Sequence, residues 1–540
     1  MKVVLDGKTL DVSPGTKVID IVEPGTLACI VDNYLESLNY EIHSEVEVKS
    51  VSLSSILGQR IFERSLVFVL VRATRELYPD ARVVVRHAIS NGIFVDIKNI
   101  GQAMSPAVAK TIAQRMREII SSNEPFVKEI VRKREAEKFF LEDGQMDKVE
   151  LLRQRPEEYV PIYSLGWYKD YAHLPVVSHA GLLQDFDLKF YLPGVILILP
   201  SYFHGGKVGP YMEQPKLAQV FSEEEKRAEI LEVSDVTSLN RQIKTDPKKL
   251  VLISEALHSR KITEVVNSIL ENPEKRLILI SGPSGSGKTT LSHLLLYQLQ
   301  ALGLKPVSIS LDDYFIDRDK TPLDEDGQPD FENIRAIELD LFNDHLARLM
   351  QGETVETPIY NFKLGRRDER TKTLKVDPDS PIIIEGIHGL NEELTEAIPK
   401  NHKFKIYISA LTQLNIDDHN RVPTTDARLF RRIVRDNRSR GHDALTTLRM
   451  WPKVRLGEEK YIFPYQEEAD VMINSSLPYE LAVLKPYVEP VLEKVDRREP
   501  EFCEAQRLLS FLRYFAVLSD EYIPNTSFLR EFIGGSVFED

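Results

Sequence analysis

Residues 277–295 read LILISGPSGSGKTTLSHLL. Four apolar residues run straight into a glycine-rich turn. Beyond it an apolar pattern at helical spacing opens (Leu291, Leu294, Leu295, Leu299, Leu302), which Gly303 can end. A buried strand that feeds a helix through so short a turn is half of a βαβ unit, and such units build parallel sheets covered on both faces. The surrounding chain keeps that rhythm: apolar runs at 277–280, 307–311, 382–384, 404–408 and 471–473 alternate with helical patterns. The expectation is a five-stranded parallel α/β sheet in the C-terminal half.

The N-terminal half reads differently. Val3 and Val4 lead to Asp6-Gly7, then to Thr9, Leu10 and Val12, the pattern of a hairpin. Lys17–Val22 suggests a short helix and residues 45–53 a strand. Residues 61–78 carry apolar side chains at helical spacing and stop at Pro79. Two β-type runs flank Asn91-Gly92, a strong hairpin signal. A Lys- and Glu-rich helix is expected over 127–155, a β-rich patch to about 200, and connecting helices before Asn272-Pro273. With 540 residues the chain exceeds one core. The fold class expected is multidomain, α+β followed by α/β.

Composition narrows the function classes. A net charge of −14 disfavours non-specific wrapping of nucleic acid, and two cysteines, Cys29 and Cys503, exclude a disulfide framework or a cysteine-rich zinc site. No apolar run is long enough to span a bilayer and no signal peptide is evident, so a cytoplasmic protein with no membrane partner is expected.

Gly282, Gly287, Lys288 and Thr289 fit G-x-x-x-x-G-K-[ST]. In that pattern the curled backbone of Gly282, Pro283, Ser284, Gly285, Ser286 and Gly287 points N–H groups at phosphate oxygens. Lys288 adds a point charge, Thr289 is placed to ligate Mg²⁺, and the helix opening through Thr290 adds its positive end. ATP and Mg²⁺ are the cofactors this implies. No N-K-x-D follows, and the Asp324–Gly327 match to D-x-x-G lies in a polar run and reads as a turn, so a GTPase is disfavoured. A kinase needs a base, a second acid and a basic lid. Asp312 stands at the end of the strand after the loop helix, where it can take a hydroxyl proton; the alternative for Asp312 or Asp313 is a helix N-cap. Glu385 ends another apolar run and suits a Mg²⁺ acid; the alternative is a solvated loop carboxylate. Arg428, Arg431, Arg432 and Arg435 share one helix face, with Arg438, Arg440 and a Gly441 hinge beyond. They read either as a mobile clamp on transferring phosphate or as a solvated charged face.

From about 276 to 480 these motifs resemble the uridine kinase and phosphoribulokinase family. GPSGSGKTT, SLDDYF, PIYNF, EGIHGL, DARLFRRIVRD and RGHD occur in the family's order. The resemblance implies Asp312 as general base, and Tyr360, Phe315, Glu332 and Arg440 on the acceptor side. Arg428, Arg431 and Arg435 then close over the γ-phosphate. Two positions depart from the family: Glu332 stands for its ribose-holding Asp, and Gly365 for its base-contacting His. Residues 1 to about 215 resemble the N-terminal region of threonyl-tRNA synthetases, a TGS module of β-grasp fold and an editing-type domain. That family's metal-binding histidines fall at Arg64 and Phe68 here, its cysteine is missing, and His173 and His179 remain. The implied editing domain has kept its shape and lost its hydrolytic site. The whole combination, with its tail SFLREFIGGS, also resembles a bacterial and plant group described as nucleoside kinases.

The expected organisation is a TGS-like β-grasp domain (1–60), an editing-like domain (61–215), a helical connector (216–272), a P-loop kinase domain (273–480) and a C-terminal helical tail (481–540). The expected function is transfer of the ATP γ-phosphate to a hydroxyl of a nucleoside (uridine- or cytidine-like) or similar polyol. The alternative is an RNA- or ribosome-linked regulatory ATPase that binds through the TGS-like region. RNA contact by that region and homo-oligomerisation complete the partner expectations.

Overall fold

The computed structural model describes residues 1–361, 364–377 and 379–538. The chain opens with β1 (Lys2–Leu5), β2 (Lys8–Asp11), β3 (Ala28–Val31), β4 (Tyr34–Glu36) and β5 (Val46–Val51). They form a mixed sheet in the order β2-β1-β5-β3-β4, in which only β1 and β5 run parallel. The Asp6-Gly7 hairpin forms as expected, both residues at positive φ. Lys17–Val22 yields only a single 3₁₀ turn, Val18–Asp20, with Val18 driven into the small core beside Val3, Val31 and Val48.

Helix α1 (Ile56–Leu77) starts earlier than the apolar pattern, because Ser55 caps it by accepting a hydrogen bond from the Gly58 N–H at 3.0 Å. It runs through the core of the next unit. There β6 (Arg82–Ile89) and β7 (Gly92–Lys98) pair with β11 (Asp187–Tyr191) and β12 (Gly194–Ile198) in the order β11-β12-β7-β6. The hairpin turns on Ser90 and Asn91, not on Asn91-Gly92. Gly92 is already strand, and a Cβ there would stand 2.6 Å from Ile196 Cγ2 and 2.9 Å from the Leu197 carbonyl oxygen. Helix α2 (Pro106–Ser121) packs on α1.

The single charged helix expected over 127–155 does not form. Phe126–Arg132 is strand β8, followed by α3 (Lys133–Glu142) and α4 (Met146–Gln154). Strand β8 pairs along its length with β9 (Tyr159–Leu165), which pairs with β10 (Tyr168–Tyr171), so long-range pairing overrides local helix preference. Gly144, at φ +75, divides the remaining helix in two.

Helices α5 (Pro215–Leu231), α6 (Val236–Thr245) and α7 (Pro247–Leu270) lead to the C-terminal sheet. Its strands are β13 (Leu277–Ser281), β14 (Val307–Ser310), β15 (Ile382–Glu385), β16 (Lys403–Ser409) and β17 (Val471–Asn474), all parallel in the order β14-β15-β13-β16-β17. Strand β13 is apolar throughout because each face meets a different layer. Ile278 and Ile280 pack against α8 (Lys288–Ala301) and α7, while Leu277 and Leu279 face α9 (Leu339–Met350). Helix α7 therefore covers this sheet with Ile262, Val265 and Ile269 rather than serving as a bare connector. On α8, Leu291, Leu295 and Leu299 are buried, but Leu302, expected to point inward, is 56% exposed, since the helix ends there and Gly303 turns away at φ +85.

Helix α10 (Thr424–Arg435), the expected mobile lid, is packed on both sides. Leu429, Phe430, Ile433 and Val434 lie in a core shared with α11 (Ala444–Tyr461), α12 (Glu480–Leu492) and α13 (Phe502–Leu512). At its first turn the buried Asp426 carboxylate accepts from Arg60 of α1 at 2.6 and 2.9 Å, and from Arg507 of α13 at 2.7 and 2.9 Å. Asp426→Asn leaves two guanidinium groups facing an amide. It should lower unfolding stability by about 3–5 kcal/mol, the cost of breaking a buried ion pair. Urea denaturation reads this directly, and an unchanged midpoint would contradict it.

Candidate phosphate and acceptor site

The glycine turn after β13 is held by sterics first. A Cβ at Gly282 would lie 1.9 Å from the Ile408 carbonyl oxygen, and Gly285 and Gly287 take φ of +75° and +87°. All five carbonyls from Gly282 to Ser286 are engaged. Lys288 Nζ donates to those of Gly282 at 3.0 Å and Pro283 at 3.3 Å, and Arg428 Nε to that of Ser284 at 3.1 Å. Arg431 Nη1 donates to that of Gly285 at 3.1 Å, and Ser475 Oγ to that of Ser286 at 2.6 Å. With these acceptors occupied, and with the Ser284 N–H already donated to Glu458 Oε1 at 3.2 Å and the Ser286 N–H to the Pro283 carbonyl at 3.3 Å, the amide edge the curl offers a ligand is that of Gly285 and Gly287. Thr289, on the first turn of α8, is exposed.

Arg428 and Arg431 therefore differ from the sequence expectation. Both are fully buried: Arg428 pairs with Glu458, and Arg431 donates to Glu480 at 2.6 Å. They brace the loop from behind and do not reach over it. Other arginines line the open side, and of these Arg435 acts on Lys288. Arg432 donates to Ser284 Oγ at 2.9 Å, and Arg435 and Arg440 flank the buried Asp436 at 2.9 and 3.8 Å. Arg435 and burial push the Arg440 guanidinium down to about 10. That crowding of like charge costs least when an anion sits beside it.

Asp312 lies in a 3₁₀ turn, Leu311–Tyr314, directly after β14. It is half-buried, its carboxylate makes no hydrogen bond or ion pair among the described residues, and it does not cap the turn. Its neighbour Asp313 accepts from the Tyr360 N–H at 3.2 Å. Asp312 is near enough to Lys288 to favour the ammonium, which burial otherwise disfavours, and near enough to Glu385 to disfavour that carboxylate. Glu385 closes β15 and is buried, not a solvated loop acid. It accepts from Ser310 Oγ at 2.6 Å, and burial, then Asp312, pushes it up to about 7 against the pull of Lys288. Asp312, Glu385 and Lys288 thus share one field at adjacent strand ends.

On the acceptor side Phe315 and Tyr360 pair with ring centroids 5.8 Å apart. Phe362, which closes the PIYNF motif, lies outside the described residues. Glu332 packs over Gly457 of α11, where a Cβ would stand 2.4 Å from Glu332 Cβ. Its carboxyl has no partner among the described residues, and burial pushes it up to about 7 although Arg432 opposes the shift. Gly365 takes φ +66°, and Arg318 Nε lies 2.8 Å from where its Cβ would be, so a guanidinium fills the space a side chain at 365 would need.

In the N-terminal region Arg64 donates to the carbonyls of His419 at 3.1 Å and Tyr171 at 2.5 Å, and Phe68 packs edge-on to Phe126 and Tyr168. Burial pushes the His173 imidazole down to about 3, while His179 is tied to Asn123 Oδ1 at 2.5 Å. Among the described residues no three His, Cys, Asp or Glu side chains are arranged to hold a metal ion, and no helix is long and apolar enough to cross a membrane.

A parallel sheet whose glycine curl, half-buried lysine and two carboxylates meet at the strand ends defines a P-loop kinase fold. Residues 277–481 match the family model described as the Phosphoribulokinase / Uridine kinase family, and the chain belongs to that family. A uridine kinase of Halalkalibacterium halodurans is 30% identical over 198 residues, 36% of this chain and 84% of that protein. Over the N-terminal region the chain is similar to threonine–tRNA ligases. That of a Wolbachia strain from Drosophila simulans is 26% identical over 200 residues, 36% of this chain but only 30% of the ligase. The solved "Structure of a Possible Uridine Kinase from Bacillus stearothermophilus" aligns at 19% identity over 40% of this chain and 98% of its own, with a TM-score of 0.27.

Glu458, Glu480 and Glu531 near the loop were not found from the sequence, because they carried no local signal; Arg432 was placed on the arginine face but not among the residues closing over the γ-phosphate. Because the folded chain holds a proton on Glu332 that the unfolded chain releases above its ordinary pKa, this group costs stability as pH rises from about 4.5 to about 7. Discounted for the solvent that still reaches it, Glu332→Gln should be roughly 1–3 kcal/mol more stable than wild type at pH 8 and equal to it at pH 4. Thermal melts at the two pH values check this, and a pH-independent difference would refute it.

Proposed function

We propose that the chain is an ATP-dependent kinase that phosphorylates a hydroxyl of a nucleoside or similar ribose-like polyol. The observation that carries this is the placing of Asp312: an unpaired carboxylate at a strand end, in the field of the Lys288 ammonium that the glycine curl holds. Bound ATP supplies the phosphoryl group, and Mg²⁺, for which the outward Thr289 hydroxyl and the Glu385 carboxylate are the fitting donors, offsets charge on its phosphates. Lys288 Nζ keeps the carbonyls of Gly282 and Pro283 and gives its third N–H to the phosphates. Asp312 accepts the acceptor's hydroxyl proton as the new O–P bond forms and the bond to the β-phosphate oxygen breaks. Arg435 and Arg440 stabilise charge on the transferring group, while Arg428 and Arg431 keep the curl rigid.

Glu332, protonated or charged near neutrality, has free capacity to hold vicinal hydroxyls, with the Phe315–Tyr360 pair as an apolar wall. Arg318 in place of an imidazole at 365 favours the hydroxyl-bearing half of the acceptor over a pyrimidine as the recognised part. The N-terminal region we read as TGS-like and editing-like in shape, without hydrolytic function. The core and hydrogen-bonding roles of Arg64 and Phe68 support this.

A panel of nucleosides and polyols incubated with ATP and Mg²⁺, with products followed by mass, tests the assignment. At least one should gain a phosphoryl group, and ATP hydrolysis with no phosphorylated acceptor would refute it. On the best acceptor, Asp312→Asn should lower kcat by about 10²–10⁴-fold, the usual worth of a general base, while ATP affinity stays within about threefold. Wild-type turnover in that variant would remove Asp312 from the chemistry.

A further inference from the structure

The C-terminal segment returns to the phosphate curl. Phe528 meets Gly287: a Cβ on that glycine would lie 2.7 Å from the ring. Helix α14 (Arg530–Ile533) follows, and Thr290 Oγ1 donates to Glu531 Oε2 at 2.7 Å. Arg438, just past α10, donates to the carbonyls of Glu531 at 2.9 Å and Phe532 at 3.1 Å. The Phe532 ring lies 5.0 Å from the Arg431 guanidinium that braces the curl. Farther on, Phe538 stacks on His293 of α8 at 5.3 Å.

Glu531 is thus a carboxylate seated on the first turn of the loop helix, at the buried hydroxyl of Thr290, the residue that ends the stretch expected to hold the nucleotide. It stands where the positive helix end favours an anion, and its charge reaches Lys288 and Glu385. A hydroxyl that gives its proton to Glu531 cannot give it to a phosphate, and a carboxylate there repels one. We infer that Glu531 is an affinity-determining residue of the nucleotide site: an internal anion on Thr290 that the phosphates must displace, which makes the segment from Ser527 to Phe538 part of that site. The inference rests on the proposed binding of ATP by the 282–290 curl. Linkage then works both ways: removing the carboxylate strengthens nucleotide binding, and nucleotide loosens the segment.

Titration calorimetry of the full chain with MgATP, without acceptor, tests this. Glu531→Gln keeps the shape but removes the charge, and it should bind MgATP at least threefold more tightly than wild type. In the wild type, saturation with MgATP should speed amide hydrogen exchange in residues 527–538 as the Thr290 contact is lost. Equal or weaker binding by Glu531→Gln, or exchange that is unchanged or slowed, would overturn this inference while leaving the kinase assignment intact. Failure of wild type and variant alike to bind MgATP would overturn both.

Discussion

The site depends on the occupation of five carbonyls. From Gly282 to Ser286 the curl has five carbonyls but, with Pro283 in it, only four N–H groups, and an anion is repelled by the one as it is drawn by the other. Here Lys288, Arg428, Arg431 and Ser475 take every carbonyl from Gly282 to Ser286. The two arginines are themselves buried, so each must be neutralised, and Glu458 and Glu480 do this from α11 and α12. The loop's conformation is consequently fixed by residues almost two hundred positions away. That is why α10 to α12 belong to the same functional unit as β13.

The same helix ties the two halves of the chain. Asp426 at the start of α10 is gripped by Arg60 from α1 and Arg507 from α13. A few residues earlier Arg421 pairs with Glu63 at 3.0 Å, and the buried Lys148 lies 3.3 Å from both Asp170 and Asp417. Charge taken out of water is expensive and tolerates little misplacement. The N-terminal region is therefore joined to the kinase region through geometry-demanding charge contacts as well as an apolar core in which Phe140, Leu152 and Ile162 lie with Leu429, Phe430 and Ile433, and α10 carries Asp426 on one turn and the loop braces on the next.

What the sequence disclosed follows from how far each signal reaches. The glycine curl, the five apolar runs and the carboxylates at 312 and 385 are written locally, through φ demands and burial on two faces, and they were legible. The strand at Phe126–Arg132 was not, because its partner β9 lies some thirty residues on and its Lys128, Glu129 and Arg132 merge with the charged run that follows. Arg428 and Arg431 of α10 were found but misassigned: spacing puts the arginines on one face but cannot say whether each meets solvent, phosphate or a buried glutamate. Arg428 and Arg431 meet Glu458 and Glu480, whose positions no local pattern announces. The role of SFLREFIGGS was invisible for the same reason, since Glu531 gains meaning only from Thr290, 241 residues earlier.

The central claim is that Asp312 and the glycine curl face one reacting phosphorus. A crystal structure of the full chain with a non-hydrolysable ATP analogue and Mg²⁺ tests it most directly. The account predicts the Lys288 ammonium on the phosphates and the Asp312 carboxylate within about 6 Å of the terminal phosphorus, with one hydroxyl oxygen's room between them. An analogue seated in the curl with Asp312 turned away, its path to the phosphorus blocked by protein, would contradict the account.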